Sequence, residues 1–559
     1  MIICGLKLTH DGGIALLEDE ELLCSIEIEK LDNGLRYQPL DKLEVVEEVL
    51  LRHNYRLDDI DVFVVDGWFT APGDSAPFLR ISNRSIPVTV EVAPYCDEDS
   101  VSVPLQRYEF DGLPLGLGAF RYASYHHVTH HLLASYCTSP FAVRKEPSLV
   151  VVWDGGMVPR LYRVNVDPFT VTSLGSLFPV YGSIFADYAA QFDAFRKTPS
   201  GDLESTAIDH LMPRNLDVAG KAMAYAALGR DEPGFYQVFE SKLDDLPFSF
   251  EAGIKLARWI DSNRDVVWPG CSDADLIASF QGYLGAKLLT CLRERVPQVV
   301  SDGNPPNLCL SGGCSLNIKW NSALRSSGLF REVWIPPFSN DSGAAIGTAV
   351  AEIVHRGKSK LQWDVYRGPS LAAVTDVPGW RFEKCDEAAL AKVLHDTGEP
   401  VVVLSGRAEL GPRALGNRSI LAAATAPKMK DLLNNIKDRE SYRPVAPICL
   451  ESRAPEIFSP GSPDPYMLFD HTVRASWAER IPAVIHLDGT ARLQTINSRQ
   501  NIVVERVLVE YEKLSGIPVL CNTSANYKGR GFFPDVPSVA RWGRVNAIWC
   551  DGHIYVRQS

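Results

Sequence analysis

Ile2-Ile3-Cys4-Gly5-Leu6-Lys7-Leu8-Thr9-His10-Asp11-Gly12-Gly13-Ile14-Ala15-Leu16-Leu17 reads as an apolar strand, an Asp-Gly-Gly turn and a second apolar strand. Beyond the acidic turn Glu18-Asp19-Glu20-Glu21, a third strand is expected over residues 22–27. Glycine supplies the positive φ that tight hairpins require, so Asp-Gly between apolar runs is a hairpin signal. Residues 149–175 repeat the unit: an apolar strand over 149–153, Asp154-Gly155-Gly156, a strand over 161–166, a turn and another strand. Either Asp-Gly-Gly alone is an ordinary hairpin turn. Recurrence of the whole unit, each time ahead of longer helical segments, points to a duplicated α/β lobe.

A duplicated meander of this kind resembles actin-like and sugar-kinase-like ATPase folds, in which nucleotide and metal lie between two lobes. Residues 281–296 carry Leu284, Leu288, Leu289, Leu292 and Val296 at helical spacing and read as a packed helix. Residues 308–317 read as a buried strand entering the Ser311-Gly312-Gly313 turn and a helix start ending at Asn317, a place where backbone amides can meet an anion. Residues 356–378, rich in Lys, Ser, Gly and Pro, read as a linker, after which a new α/β pattern begins.

That second region holds the strongest chemical signal. Gly406-Arg407-Ala408-Glu409-Leu410-Gly411-Pro412-Arg413-Ala414-Leu415-Gly416-Asn417-Arg418-Ser419 follows the strand Val401-Val402-Val403-Leu404 and combines three arginines with glycine-flanked amides. Guanidinium forks and a backbone nest suit phosphate oxygens. Lys437, Arg439, Arg443-Pro444, Arg492 and Asn522-Thr523-Ser524 extend the pattern.

Composition excludes several classes. At 559 residues the chain exceeds a single core, and 46% hydrophobic content is enough for two or more. A formal charge of −13 disfavours a nucleic-acid footprint and favours small substrates. The 12 cysteines lack a C-x-x-C pair and read as reduced thiols, which implies a cytoplasmic protein. No apolar run approaches membrane-spanning length, and no membrane association is expected.

His126-His127-Val128-Thr129-His130-His131 holds two pairs spaced by four, His127 with His131 and His126 with His130, each able to share a helix face. Such a pair needs a carboxylate to complete a metal site, and Asp154 and Asp341 are the candidates. An N/O donor set suits iron, manganese or zinc.

These residues together resemble the NodU/CmcH family of O-carbamoyltransferases. The resemblance runs over nearly the whole chain, from residues 5–13 through His127 and His131, Asp154-Gly155-Gly156, Gly220-Lys221-Ala222-Met223, Ser311-Gly312-Gly313 and Asn340-Asp341-Ser342-Gly343. It continues with residues 411–419, 437–444 and 522–524. It implies an N-terminal actin-like ATPase (ASKHA) domain, similar to threonylcarbamoyl transferases, over residues 1–362. A C-terminal YrdC-like α/β domain over 371–559 would follow. ATP with Mg2+ and carbamoyl phosphate would give a carbamoyl adenylate in the second domain, with Lys437, Arg443 and Arg492 on carbamoyl phosphate. Arg413, Asn417, Arg418 and Ser524 would position phosphates. In the first domain Gly312, Gly313 and Asn317 would cradle the adenosine, and His127, His131, Asp154 and Asp341 would hold Fe2+, with Mn2+ or Zn2+ as alternatives. The doubled histidines leave the register open by one residue, and helix-end spacing favours the 127/131 pair. His10 would be the general base for an acceptor hydroxyl.

The implied acceptor is a hydroxylated natural product in secondary-metabolite biosynthesis. The opening segments look nearer the antibiotic branch than the nodulation branch, so an apolar polyketide or macrolactam is expected. A homodimer is the default for a soluble enzyme. The competing readings are a tRNA threonylcarbamoyl-type enzyme, which would need a basic stripe, a sugar kinase, which would leave the arginine-rich domain without a role, and a non-catalytic nucleotide-binding protein.

Overall fold

The computed structural model describes residues 1–71, 74–97, 103–196, 215–300, 303–372 and 376–558. The chain forms two compact α/β units. One comprises Met1–Ile28 and Tyr37–Asp364; the other comprises Glu29–Arg36 and Val365–Ser559. Of the linker expected over 356–378, residues 373–375 lie outside the described residues.

In the first unit the opening stretch forms β1 (Ile2–Lys7), β2 (Gly13–Glu18) and β3 (Glu21–Glu27), followed by β4 (Val62–Asp66), the hairpin β5 (Phe78–Asn83) and β6 (Ile86–Glu91), β7 (Tyr108–Leu115) and β8 (Gly118–Tyr125). One sheet has the order β3-β2-β1-β4-β8-β7. β1 pairs antiparallel with β2 and parallel with β4. The second copy gives β9 (Ser148–Val152), β10 (Arg160–Val166), β11 (Phe169–Ser176), β12 (Asn307–Ser311) and β13 (Val333–Trp334), in the order β11-β10-β9-β12-β13. Here β9 pairs antiparallel with β10 and parallel with β12. The duplication read from the two Asp-Gly-Gly units is thus a duplication of sheet topology.

Two helices bring the chemistry to these sheets. His127–Cys137 starts one residue after β8 and is buried on every face, its histidines, Thr129 and Ser135 included. Ala344–His355 is almost wholly buried and follows the short turn Asp341–Gly343. The two cross closely at Gly347, where a Cβ would lie 2.2 Å from the His130 carbonyl oxygen. At Gly5 of β1 a Cβ would lie 2.1 Å from the Ala345 carbonyl oxygen. Glycine is what allows strand and helices to approach this far. The helix expected over 281–296 lies inside Asp273–Val299, whose start is fixed by a capping box in which Ser272 Oγ accepts from the Asp275 amide.

The second unit is built on an eight-stranded mixed sheet flanked by the helices Glu387–Thr397 and Ile502–Ser515. Its central strands are Val401–Leu404, Arg418–Ala423 and Val519–Ser524, which pair antiparallel in succession. The early segment Glu29–Arg36 is built into this unit. Lys30 Nζ donates to the carbonyls of Glu409 (2.8 Å) and Gly411 (2.7 Å), Asn33 Nδ2 donates to Gly531 O, and the Arg36 amide donates to Gly529 O at 2.9 Å. Gly531 has no room for a side chain, since a Cβ there would meet Glu29 O at 1.9 Å.

Candidate metal centre and anion site

In the first unit three imidazoles converge. His127, His130 and His131 stand at i, i+3 and i+4 on one helix face, and each has a buried Nε2 without a hydrogen-bond partner. One ring nitrogen of each and an Asp341 oxygen lie within 4.8 Å of one another. Asp341 Oδ1 is 3.3 Å from His131 Nε2 and 3.5 Å from His127 Nε2. Asp154, at the end of β9, places Oδ1 3.8 Å from His131 Nε2; the same oxygen accepts from the Gly313 amide at 2.7 Å, and Oδ2 accepts from Tyr95 OH at 3.0 Å. His126 faces elsewhere, with Nδ1 3.1 Å from Pro94 O. Buried imidazole nitrogens gathered around a carboxylate fit a divalent cation with mixed N/O ligation.

The sequence reading did not anticipate Lys7 or Asp66 here, and offered His130 only in the alternative pair with His126. Lys7 Nζ lies 2.9 Å from Asp66 Oδ2 and 2.8 Å from Asp341 Oδ2, fully buried. Asp66 ends β4 and also accepts from His127 Nδ1 (2.8 Å, on Oδ2) and His130 Nδ1 (2.9 Å, on Oδ1). Burial opposes the ionisation of Asp66 and Asp341. The nearby cations, Lys7 foremost, outweigh it and hold both carboxyls well below the usual range. Burial and Lys7 disfavour the charged form of His127, but Asp66 and Asp341 outweigh them and raise its pKa to about 9. Burial, with His131 beside it, keeps His130 neutral.

His10 stands at the rim of this cluster, with Nδ1 2.9 Å from Asp11 Oδ2, Nε2 3.3 Å from Asp341 Oδ2 and its ring edge-on to Trp68. Asp11 adopts φ 53° at the turn. Gly312, with φ 89°, sits where a Cβ would strike the Trp153 carbonyl oxygen at 2.3 Å. The Asn317 side chain caps the helix Ile318–Ser326 by accepting from the Lys319 and Trp320 amides.

The second unit gathers cations of a different kind. Arg439 donates to Thr523 Oγ1 at 2.9 Å, and burial, Arg443 and Arg36 push its pKa down to about 9. Arg492 has a buried Nε without a hydrogen-bond partner, and burial, Arg413, Arg443 and Arg439 depress it strongly. Burial, Arg439 and Arg36 likewise depress Lys437, which braces the 524–526 turn through Ser524 O (2.6 Å) and Asn526. These half-buried guanidinia lie close enough to repel one another. Arg36, delivered by the Glu29–Arg36 segment, had no signal in the sequence.

Other residues of the 406–419 stretch serve the loop itself. The amides read as a phosphate nest wrap the protein's own Glu409: its Oε1 accepts from Leu415 (2.7 Å), Asn417 (2.8 Å) and Arg418 (3.1 Å). Arg418 is buried and donates to the carbonyls of Ser405, Gly406 and Asn417, which turns its guanidinium inward rather than toward a ligand. The Asn417 side chain is held between Arg407 O and Asn501 Nδ2.

Residues 2–82 and 119–350 match a family model described as Carbamoyltransferase N-terminus, and residues 391–542 match one described as Carbamoyltransferase C-terminus. The chain is 46% identical to Nodulation protein U of Sinorhizobium fredii (strain NBRC 101917 / NGR234) over 574 residues, covering 100% of both chains. It is 44% identical to Nodulation protein U of Rhizobium tropici, covering 100% of this chain and 96% of the relative. It is 32% identical to the 3'-hydroxymethylcephem-O-carbamoyltransferase of Streptomyces clavuligerus, covering 97% and 96%. Identity over the whole chain is therefore higher to these nodulation proteins than to the cephem enzyme.

Proposed function

The chain belongs to the carbamoyltransferase family, and from that premise we propose an ATP-dependent O-carbamoyltransferase that works in two steps on a hydroxylated small molecule. The first step belongs to the second unit, read as YrdC-like. Water cleaves carbamoyl phosphate to phosphate and carbamate, and a carbamate oxygen attacks the α-phosphorus of ATP, displacing pyrophosphate and leaving carbamoyl adenylate. Arg413, Arg443 and Arg492 receive the phosphate oxygens, with Ser524 beside them on the turn that Lys437 braces. Repulsion among half-buried guanidinia supports this reading, because a bound polyanion relieves it.

The second step belongs to the first unit, read as actin-like, with the adenylate at Gly312, Gly313 and Asn317. The acceptor hydroxyl gives its proton to His10 as its oxygen attacks the carbamoyl carbon, and AMP leaves. His127, His131, Asp341 and Asp154 would hold a divalent cation, Fe2+ with Mn2+ or Zn2+ as alternatives. Such an ion supplies Lewis-acid stabilisation of developing negative charge. A hydroxylated natural product remains the acceptor class, and the name of the cephem relative supports a small molecule of that kind. Nothing observed selects a macrolactam. A cytoplasmic setting is consistent with twelve free cysteines.

The observation that carries the proposal is the presence in one chain of both a cluster of buried imidazole nitrogens unpartnered among the described residues and a cluster of half-buried, mutually repelling guanidinia. Purified protein given ATP and carbamoyl phosphate should release pyrophosphate only when both are present. Absence of that release, with or without a hydroxylated acceptor, would sink the adenylate mechanism.

A further inference from the structure

We propose that Asp66 is a positioning carboxylate that makes His130 a third imidazole donor of the metal centre, beside His127 and His131. The inference rests on the metal-site reading above. A carboxylate accepts hydrogen bonds and cannot donate them when ionised, so an imidazole whose Nδ1 faces it carries its proton there and its lone pair on Nε2. Asp66 imposes this on two rings at once, through Oδ2 to His127 Nδ1 at 2.8 Å and Oδ1 to His130 Nδ1 at 2.9 Å. Nε2 is thereby left as the ligand atom of both rings. Among the described residues the Nε2 of His127, His130 and His131 are all buried without a hydrogen-bond partner, while the three side chains and Asp341 offer ligand atoms within 4.8 Å of one another.

A packing role for His130 does not account for this arrangement. Its contact with the neighbouring helix at Gly347 runs through its backbone carbonyl, and its ring bonds Asp66 through Nδ1 while Nε2 has no hydrogen-bond partner among the described residues. Lys7 completes the device: its ammonium sits between Asp66 Oδ2 and Asp341 Oδ2, so the second carboxylate is compensated while Asp341 Oδ1 faces the imidazoles. The donor set is then three imidazoles and one carboxylate oxygen, with Asp154 at its edge. Outer carboxylates of this type fix ring orientation and tune the affinity of metal sites.

Co2+ is the probe. The metal-stripped full-length protein, loaded with Co2+ and examined by X-ray absorption, should show the multiple-scattering pattern of three imidazoles. Asp66→Asn, which keeps the size but can donate a hydrogen bond, should weaken Co2+ binding by about 10- to 100-fold and shift the visible ligand-field bands. Two imidazoles in the wild-type spectrum would overturn the inference while leaving the metal reading standing; no Co2+ uptake at all would remove both. An Asp66→Asn variant that binds Co2+ as the wild type does, with unchanged bands, would also overturn it. The wild-type spectrum decides even if the variant fails to fold. Pyrophosphate release, which the metal does not enter, separates either failure from failure of the carbamoyl-transfer reading.

Discussion

His126 and His130 are four apart, as are His127 and His131, yet the useful set is neither pair alone. Sequence spacing made the i+4 partners visible and hid the i+3 contact that brings His130 beside His127. Asp66 was hidden for a different reason: it lies at the end of a strand 61 residues before His127, and nothing local marks it. These residues predict a two-sided pH response of the metal-free protein. Asp66 and Asp341 are held below their unfolded values, so the stability they contribute is present above roughly pH 4 and is lost as pH falls toward the depressed folded values. His127 runs the other way. Its contribution is complete below about pH 6.5, its unfolded value, and is lost as pH rises through about 9. Urea midpoints measured across this range should fall at both ends, and the acid limb should be shallower in Asp66→Asn. An equally steep acid limb in that variant would contradict the assignment.

The duplicated meander was legible because strand period and Asp-Gly turns are local signals, and both copies formed where they were read. The phosphate nest of the 406–419 loop was misread because amides and arginines near glycines look alike whether they face a ligand or an internal Glu409. At this scale the decisive contact is the helix crossing at Gly347, which fixes the helix that follows the Asp341 turn against the one bearing the histidines. Gly347→Ala forces the backbones apart and should cost about 1–3 kcal/mol of stability. Co2+ uptake should fall with it. Chemical denaturation and a Co2+ titration check both; unchanged values in the two assays would mean that the crossing does not set the site.

Across the whole molecule, the two proposed half-reactions should separate. Arg443→Ala should reduce pyrophosphate release by about 10²-fold or more, the scale of losing one strong electrostatic donor. His127→Ala should leave pyrophosphate release intact and abolish carbamoylation of the acceptor. If both variants failed at the same step, a division of labour between the units would be untenable. Neither unit boundary follows the chain simply, because residues 29–36 belong with residues far downstream. Asn33 meets Gly531 across 498 positions of sequence. On a ribosome adding roughly 5–20 residues per second, this segment leaves the exit tunnel early and waits on the order of half a minute or more for the carbonyls of Gly411 and Gly531 to be made. A gene fragment starting at codon 365 would therefore encode a second unit missing its Lys30 anchor and the Arg36 cation, which a co-expressed fragment carrying residues 1–36 would have to supply in trans.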